Sequence, residues 1–148
     1  MPIDYSGQDL RGRDFSGQDL THADLSGADL TEAKLIGADL HSADLRGADL
    51  TEANLVGALL TRANLTRANL HSADLTRADL TRANLHSADL RGADLTRADL
   101  TGADLFNANL TRADFTNANL TNAFRRPGIS RADMEGATGL DTVRGLID

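Results

Sequence analysis

The sequence lacks cysteine and tryptophan, and aromatic residues make up only 3% of its 148 residues. Without cysteine, the chain can form neither a disulfide framework nor a thiolate metal site. One tyrosine and four phenylalanines are too few large side chains for an irregular globular core. The apolar residues are mostly leucine and alanine. A regular stack of short, similar segments is the expected way to bury them.

Long apolar runs are also missing. Nothing approaches the run of about 18 apolar residues that predicts a membrane-spanning helix. The first residues, Met1 to Tyr5, lack the basic and apolar regions of a secretory signal peptide. We therefore expect a cytoplasmic protein with no membrane partner.

Charge is unevenly distributed along the chain, whose formal net charge is −7. Residues 1–60 hold 11 acidic and 4 basic residues, whereas residues 61–148 hold 11 of each. The excess negative charge therefore lies in the N-terminal part. Such a surface repels nucleic acid and attracts basic partners.

A five-residue repeat runs through residues 3–122 without an insertion, which makes 24 consecutive pentads. The middle residue of each pentad is Leu in 21 of the 24, the exceptions being Tyr5 and two phenylalanines. Ala stands two positions earlier at all 20 positions from 23 to 118. Asp or Asn stands between them in 22 pentads, the exceptions being Lys34 and Leu59.

A period of five fits neither an α-helix nor one long strand, because the leucines would not share a face in either. Within a pentad, however, Ala and Leu are two positions apart, so an extended segment points both to one side and the Asp to the other. Two small or polar residues follow, for example Ser26 and Gly27. We interpret each pentad as a short straight side plus a corner, so that the repeat winds the chain into a coil.

The pentads from Ala28 to Glu32 and from Ala93 to Arg97 have the pattern A-(D/N)-L-x-x. In this pattern the chain resembles the pentapeptide-repeat proteins throughout residues 3–122. The resemblance implies an all-β fold, a right-handed quadrilateral parallel β-helix (solenoid) of about six to seven coils. Four pentads would form each coil, with the central Leu and the preceding Ala inside. At a strand spacing of about 4.8 Å, six coils would make a rod about 29 Å long.

The two ends depart from the repeat. In the first four pentads the inward Ala position is instead Ile3, Gln8, Arg13 and Gln18. One coil would contain all four, as expected for a polar open end, with Tyr5 and Phe15 filling the wider space there. We expect a single domain over residues 1–148, with uninterrupted repeats at 3–122, a loop at 123–131, and a degenerate repeat and C-terminal cap at 132–148.

Within that cap, the motif resumes at residues 132–136 with a shift of four residues, and residues 141–147 suggest a short capping helix. The resemblance further implies that the C-terminal end forms a homodimer. Phe106 and Phe124 are the candidate residues for this contact.

Residues 20 apart are expected to stack in columns. The stacked aspartates have two interpretations: local bonding to the backbone of their own pentads, which we favour, or an anionic surface that mimics the phosphate rows of DNA. The candidate columns are Asp4, Asp24 and Asp44, and Asp9, Asp29 and Asp49.

Three apolar residues occupy outward positions. Ile36 and Val56 are 20 residues apart and should stack, and Leu59 should lie just around the next corner. A group of exposed apolar side chains can mark a partner site. These three residues are therefore the candidate partner patch.

Arginine columns at residues 62 and 82 and at residues 77 and 97 are expected to be a solvated, charge-balancing surface beside the acids. A basic groove for nucleic acid is not favoured, since aromatic residues for base stacking are not interleaved with them. His22 and His41 should be neighbours, but two histidines do not make a metal site. We expect no metal, no cofactor and no direct contact with nucleic acid.

We find no motif of a catalytic nucleophile, phosphate loop or zinc protease, and expect no enzymatic activity. The favoured function is a non-catalytic structural or protein-interaction module with an unidentified protein partner. The alternative, implied by the resemblance, is a DNA mimic that binds DNA gyrase or a topoisomerase and inhibits it or protects it from quinolones. An engineered consensus scaffold is a third reading, opposed by irregularities such as Lys34 and Leu59.

Overall fold

The computed structural model describes residues 1–123, 134–135 and 138–141. Parallel β-bridges join residues that are 20 positions apart, from Asp4–Asp24 to Asp99–Asn119. Each strand is reduced to one bridge residue, and these residues recur at every fifth position from Asp4 to Asn119. Four pentads therefore form each coil, and residues 4–119 form a stack of parallel β-coils, as the family resemblance implied.

The four sides of the stack are called here the first, second, third and fourth faces. The central residues of the first face start at Tyr5 and continue at Leu25, and those of the second start at Leu10 and Leu30. The third face is centred on residues 15, 35, 55 and onward, and the fourth on residues 20, 40, 60 and onward. This numbering places each outward side chain on a face or a corner.

In the repeats of residues 3–122, the buried residues are central residues and the alanines two positions before them. From Leu10 to Leu120 every central residue is at most 2% exposed, and from Ala23 to Ala118 every alanine is at most 6% exposed. Among the residues that the structure describes, no polar or charged residue is buried. Burying each leucine contributes about 1.5–3 kcal/mol, so the stack is stabilised along its whole length.

Backbone hydrogen bonds explain why each pentad has its particular residues. In one pentad the N–H of Ala43 closes the preceding turn with an N···O distance of 3.0 Å. The N–H groups of Asp44, Leu45 and Gly47 donate to carbonyls of the neighbouring coils at 2.9, 2.8 and 3.0 Å. The remaining N–H, that of Arg46, donates to Oδ1 of Asp44 at 3.1 Å. All five N–H groups are thus paired, as buried backbone requires.

Every corner is a four-residue turn that starts at the central residue. Its third residue has a positive φ in each pentad of residues 3–122, from 54° at Ser42 to 69° at Gly102. A closing hydrogen bond and a positive φ at the third residue, but not at the second, are the features of a type II turn. Fifteen of these third residues carry a side chain and nine are glycine. The sequence predicted the corner, but not that residues with side chains adopt this left-handed conformation.

The first coil closes the N-terminal end with polar groups, which confirms the expectation for Gln8, Arg13 and Gln18. All three are exposed. The side-chain amides of Gln8 and Gln18 donate to the backbone oxygens of Asp4 and Asp14 at 3.3 and 3.4 Å. These carbonyls belong to the edge of the stack, where no preceding coil can bond to them.

An aromatic pair fills the space beneath this polar end. The rings of Tyr5 and Phe15 meet edge to face, with centroids 5.6 Å apart. The Arg13 guanidinium carbon lies 5.7 Å from the Tyr5 centroid and 5.4 Å from that of Phe15. This geometry allows a cation–π interaction with both rings, and only Phe15 is buried.

The C-terminal end loses the register by four residues. Asp114 bridges Thr138, which is 24 rather than 20 positions away. The N–H of Phe115 donates to the oxygen of Thr138 at 3.0 Å, and that of Arg112 to the oxygen of Glu135 at 2.9 Å. Met134, 2% exposed, continues the core. Met134 and Glu135 of the shifted motif are therefore part of the stack.

Other C-terminal expectations cannot be placed. Residues 124–133 and 142–148 lie outside the described residues, and they include nearly all of the expected loop and of the expected capping helix. Within the described part of the chain, no helix has the length and apolar character needed to cross a membrane.

Candidate functional site

The outward Asp or Asn of each pentad caps its own turn. Wherever Asp or Asn occupies this position in residues 3–122, its Oδ1 accepts the backbone N–H two residues later. In many pentads the hydroxyl of a following Ser or Thr also donates to Oδ1, as Ser26 does to Asp24 at 2.6 Å. The local interpretation of these residues is confirmed.

These hydrogen bonds lower the pKa of several carboxyl groups. The side-chain hydrogen bond from Arg11, followed by the backbone N–H of the same residue, lowers the pKa of Asp9 to about 2. The backbone N–H and hydroxyl of Ser6 lower the pKa of Asp4. Both carboxylates are therefore ionised at neutral pH.

The two predicted acidic columns are present, because bridges join Asp4, Asp24 and Asp44 on the first face and Asp9, Asp29 and Asp49 on the second. Arginines partly neutralise them. Arg11 contacts Asp9 at 2.7 Å and Asp29 at 3.6 Å. Arg46 forms an ion pair with Asp44. Sequence reasoning placed the carboxylates but did not identify these ion pairs.

The position of an arginine within the turn decides whether it is paired. At the second turn position, three arginines form an ion pair with the Asp of their own pentad, namely Arg11, Arg46 and Arg91. At the third position, where φ is positive, three arginines share a pentad with an Asp and form no ion pair with it, namely Arg77, Arg82 and Arg97. The other three have Leu or Asn in place of that Asp. The exposed arginines at that position, which have no ion pair within 4.0 Å among the described residues, are Arg62, Arg67, Arg77, Arg82, Arg97 and Arg112.

The predicted arginine columns at residues 62 and 82 and at residues 77 and 97 belong to this unpaired group. They are solvated, as expected. They form no ion pair within 4.0 Å among the described residues. That they balance the charge of the acids stays a prediction.

The apolar patch occupies the corner between the third and fourth faces. Ile36 and Leu59 are each 44% exposed and Val56 is half-buried. The N–H of Gly37 donates to the oxygen of Val56 at 2.9 Å, so Ile36 and Val56 lie in adjacent coils at the same corner. Leu59 is on the fourth face, where Asp39 and Asp79 bridge it from either side. The structure therefore places the three residues as predicted.

The other candidate residues lie elsewhere. Phe106, 39% exposed, stacks on His86 of the first face with centroids 5.3 Å apart. Phe124 lies outside the described residues. The rings of His22 and His41 are neighbours as predicted, 5.8 Å apart. Within the described residues, no group of three or more His, Asp and Glu residues is suited to hold a metal ion.

An open groove of about 690 Å³ lies along the second face and its corner in the C-terminal half. The sequence did not predict this groove. The four-residue shift places Glu135 beside Arg112 in its wall. The lining residues are His71, Ser72, Arg91, Gly92, Thr111, Arg112 and Glu135.

A filled stack of parallel coils with outward polar columns defines a β-solenoid repeat protein. The sequence model of the family described as pentapeptide repeats (8 copies) matches residues 9–47, 43–82 and 83–122. The chain belongs to the pentapeptide-repeat family. No curated protein matches its sequence.

Solved structures show the same fold. The pentapeptide repeat protein alr5209 from Nostoc PCC 7120 is 28% identical, with 93% of this chain and 99% of that chain covered and a TM-score of 0.55. QnrB1, a plasmid-mediated fluoroquinolone resistance protein in trypsin-treated form, is 22% identical, with 93% and 84% covered and a TM-score of 0.50. Right-handed quadrilateral β-helices are the fold of this family.

Proposed function

We propose that the chain is a non-catalytic protein-interaction module, built as a right-handed rod of about six to seven coils. Pentapeptide-repeat proteins are generally structural or interaction modules, which supports this class. The observation that carries the proposal is the exposed patch of Ile36, Val56 and Leu59. At these three outward positions the chain has apolar side chains, where polar ones are usual in the repeat.

The patch is informative because the repeat has no structural need for it. The core is complete without these side chains, since Leu35, Leu55 and Leu60 fill the interior at 0% exposure. Exposed apolar groups in a cluster are unfavourable in water unless a partner covers them. A protein surface is the partner that would bury such a patch.

A photo-reactive amino acid on each face tests this proposal. It would replace Thr66, Thr111, Thr76 or Thr81, which lie on the first, second, third and fourth faces. We expect a discrete adduct in the native host from Thr76, one coil beyond Val56 in the same column, and a complex that re-forms from the purified components. Absence of a discrete adduct from all four faces would contradict the module proposal.

The second candidate is a DNA mimic that binds DNA gyrase. The acidic columns of the first and second faces support it, because three successive carboxylates in each column repeat at the strand spacing of about 4.8 Å. For comparison, successive phosphates of one DNA strand are about 3.4 Å apart along the helix axis, a shorter spacing than that of the carboxylates. The ion pairs of Arg11 and Arg46 weaken it, since they neutralise part of each column.

A gyrase supercoiling assay across a salt series separates the two candidates. A DNA mimic would inhibit gyrase at low salt and lose inhibition steeply as salt rises. The variant Asp24→Asn/Asp29→Asn/Asp49→Asn should then lose inhibition. It should fold normally, because Asn caps the same turn at residues 54 and 64. The same change at Asp74, Asp79 and Asp94 is the control. Under the favoured proposal, none of these proteins inhibits gyrase.

A further inference from the structure

Two turns of the uninterrupted repeat lack the side-chain cap, and both adjoin the apolar patch. Lys34 and Leu59 stand where the other pentads have Asp or Asn. The N–H groups that such caps would bind belong to Ile36 and Thr61. Among the described residues, neither N–H has a hydrogen-bond acceptor. The surface therefore combines apolar side chains with two backbone donors that only solvent or a partner can satisfy.

The backbone beside the patch is also bare. Gly37 and Gly57 occupy the third turn position directly after Ile36 and Val56, and a Cβ added at either would meet no atom within 4 Å. At other corners this position often carries an exposed Arg or Glu. The corner therefore lets another polypeptide approach the backbone closely beside the N–H of Ile36, whereas the N–H of Thr61 lies at the next corner, beyond Leu59 on the fourth face.

The rim of the patch is acidic. Glu32 and Glu52 are exposed in adjacent coils of the preceding corner, and Asp39 and Asp79 bracket Leu59. None of the four has an ion pair within the described residues. A β-bridge places Asp14 beside Lys34 of the adjacent coil, so the negative charge of Asp14 offsets the positive charge of Lys34. On the far edge of the patch lie two exposed arginines, Arg62 and Arg77. Their two positive charges do not offset the four carboxylates.

We propose that this corner binds an extended segment of a partner protein in which apolar residues are flanked by Lys or Arg. The apolar residues cover Ile36, Val56 and Leu59, and backbone carbonyls of the segment accept the N–H groups of Ile36 and Thr61. The basic residues of the segment face the four carboxylates of the rim. The inference rests on the proposed interaction function and specifies the chemistry of the partner.

Selection from a library of random 12-residue peptides displayed on phage tests the inference on the full chain. The library is selected on the wild-type protein and counter-selected on Ile36→Thr/Val56→Thr/Leu59→Asn. This variant restores residue types that the same columns have elsewhere, such as Thr76 and Asn119, so its fold should be kept. The control is His86→Thr/Phe106→Thr, which removes exposed ring surface from the first face.

We expect enriched peptides with apolar residues between Lys or Arg. As synthetic peptides they should bind the wild type and the control equally, and the counter-selected variant at least tenfold more weakly in fluorescence polarisation. Lys34→Asn should bind about fivefold more weakly than Lys34→Ala, because both substitutions remove the same positive charge but only the new Asn occupies the N–H of Ile36.

The possible failures can be told apart. Peptides that bind the wild type and the counter-selected variant equally would overturn this inference but leave the interaction function standing. Enrichment of acidic or uniformly polar peptides would overturn it as well. If no peptide is enriched, the inference fails; if the photo-crosslinking also gives no adduct, the interaction function fails with it.

Discussion

At the scale of single residues, the outward Asp or Asn completes the hydrogen bonding of its pentad. The two coils adjacent to a pentad can pair three of its five N–H groups and the turn pairs a fourth, as residues 43–47 show. The fifth has only the side chain two residues earlier. The residue is therefore a turn cap, whatever else its charge does.

The cap predicts a difference between Asp94→Ala and Asp94→Asn. Alanine leaves the N–H of Thr96 without its acceptor, now 2.9 Å away, and should lower the free energy of unfolding by about 1 kcal/mol. Asparagine keeps the acceptor and should have little effect. Urea unfolding monitored by circular dichroism measures both. Equal destabilisation by the two substitutions would contradict the cap.

The carboxyl groups also predict acid sensitivity. Hydrogen bonds to their own turns lower the pKa of Asp4, Asp9, Asp14 and Asp19 below the ordinary value of 3.8. In this range the unfolded chain binds more protons than the folded one, so lowering the pH favours unfolding. The stabilisation is present above about pH 4 and is lost as the pH falls through the folded pKa, about 2 for Asp9.

We therefore expect a urea midpoint that is constant from about pH 7 to pH 5 and falls below about pH 4. Arg11→Ala removes the main cause of the low Asp9 pKa, and its midpoint should fall less over the same range. A midpoint that rises or stays level on acidification would contradict this explanation.

At the scale of the element, each coil needs a neighbour on both sides, and the first coil has only one. An exposed strand edge can pair with another chain. Here Gln8 and Gln18 occupy two edge carbonyls, and Arg13 covers the ring pair beneath. These side chains make the N-terminal end unsuitable for pairing with a second copy.

Replacing them with the repeat residue should open that edge. The variant Gln8→Ala/Arg13→Ala/Gln18→Ala is expected to form larger species than the wild-type chain at the same concentration, through end-to-end pairing of first coils. Size-exclusion chromatography with light scattering measures this. Arg62→Ala/Arg67→Ala/Arg82→Ala, three changes at exposed corners, is the control and should match the wild type. A triple N-terminal variant of unchanged mass would refute edge protection.

At the scale of the whole molecule, the rod is a nearly one-dimensional stack in which each coil contacts only its neighbours. A local fault should therefore spread to adjacent coils and fade with distance. Leu75 is 0% exposed in the middle of the stack. The neighbouring residue Thr76 faces outward and provides a matched position.

We expect Leu75→Asp to lower the free energy of unfolding by about 4 kcal/mol or more, because it buries an unpaired carboxylate. Thr76→Asp should change it by less than about 0.5 kcal/mol. Hydrogen exchange should accelerate most in residues 55–95 of the Leu75 variant and least in the first coil. Uniform acceleration along the chain would contradict nearest-neighbour coupling.

The net charge of the molecule also differs between its two ends. The N-terminal coils hold the excess of acids, whereas the later coils add unpaired corner arginines.

The expected homodimer through the C-terminal end stays a prediction, since Phe106 stacks on His86 and Phe124 lies outside the described residues.

The sequence by itself determined which side chains are inside and where each side turns. The reason is local: Ala and Leu two positions apart point the same way in any extended segment, and a strict period leaves no other face to bury. The outward positions of Ile36, Val56 and Leu59 followed from the same arithmetic, whereas their stacking was implied by the four-pentad coil of the family resemblance.

Only the tertiary structure decided which of the outward groups are paired. Arg11 and Arg77 each follow an Asp in their own pentad, yet Arg11 at the second turn position forms an ion pair with Asp9, whereas Arg77 at the left-handed third position forms none within 4.0 Å among the described residues. The bonds of Gln8 and Gln18, the groove at Gly92 and the free N–H groups at Ile36 and Thr61 likewise depend on turn conformation and on contacts between coils. Residues 20 positions apart in the chain become neighbours only when the coils stack, and a five-residue pattern does not specify those contacts.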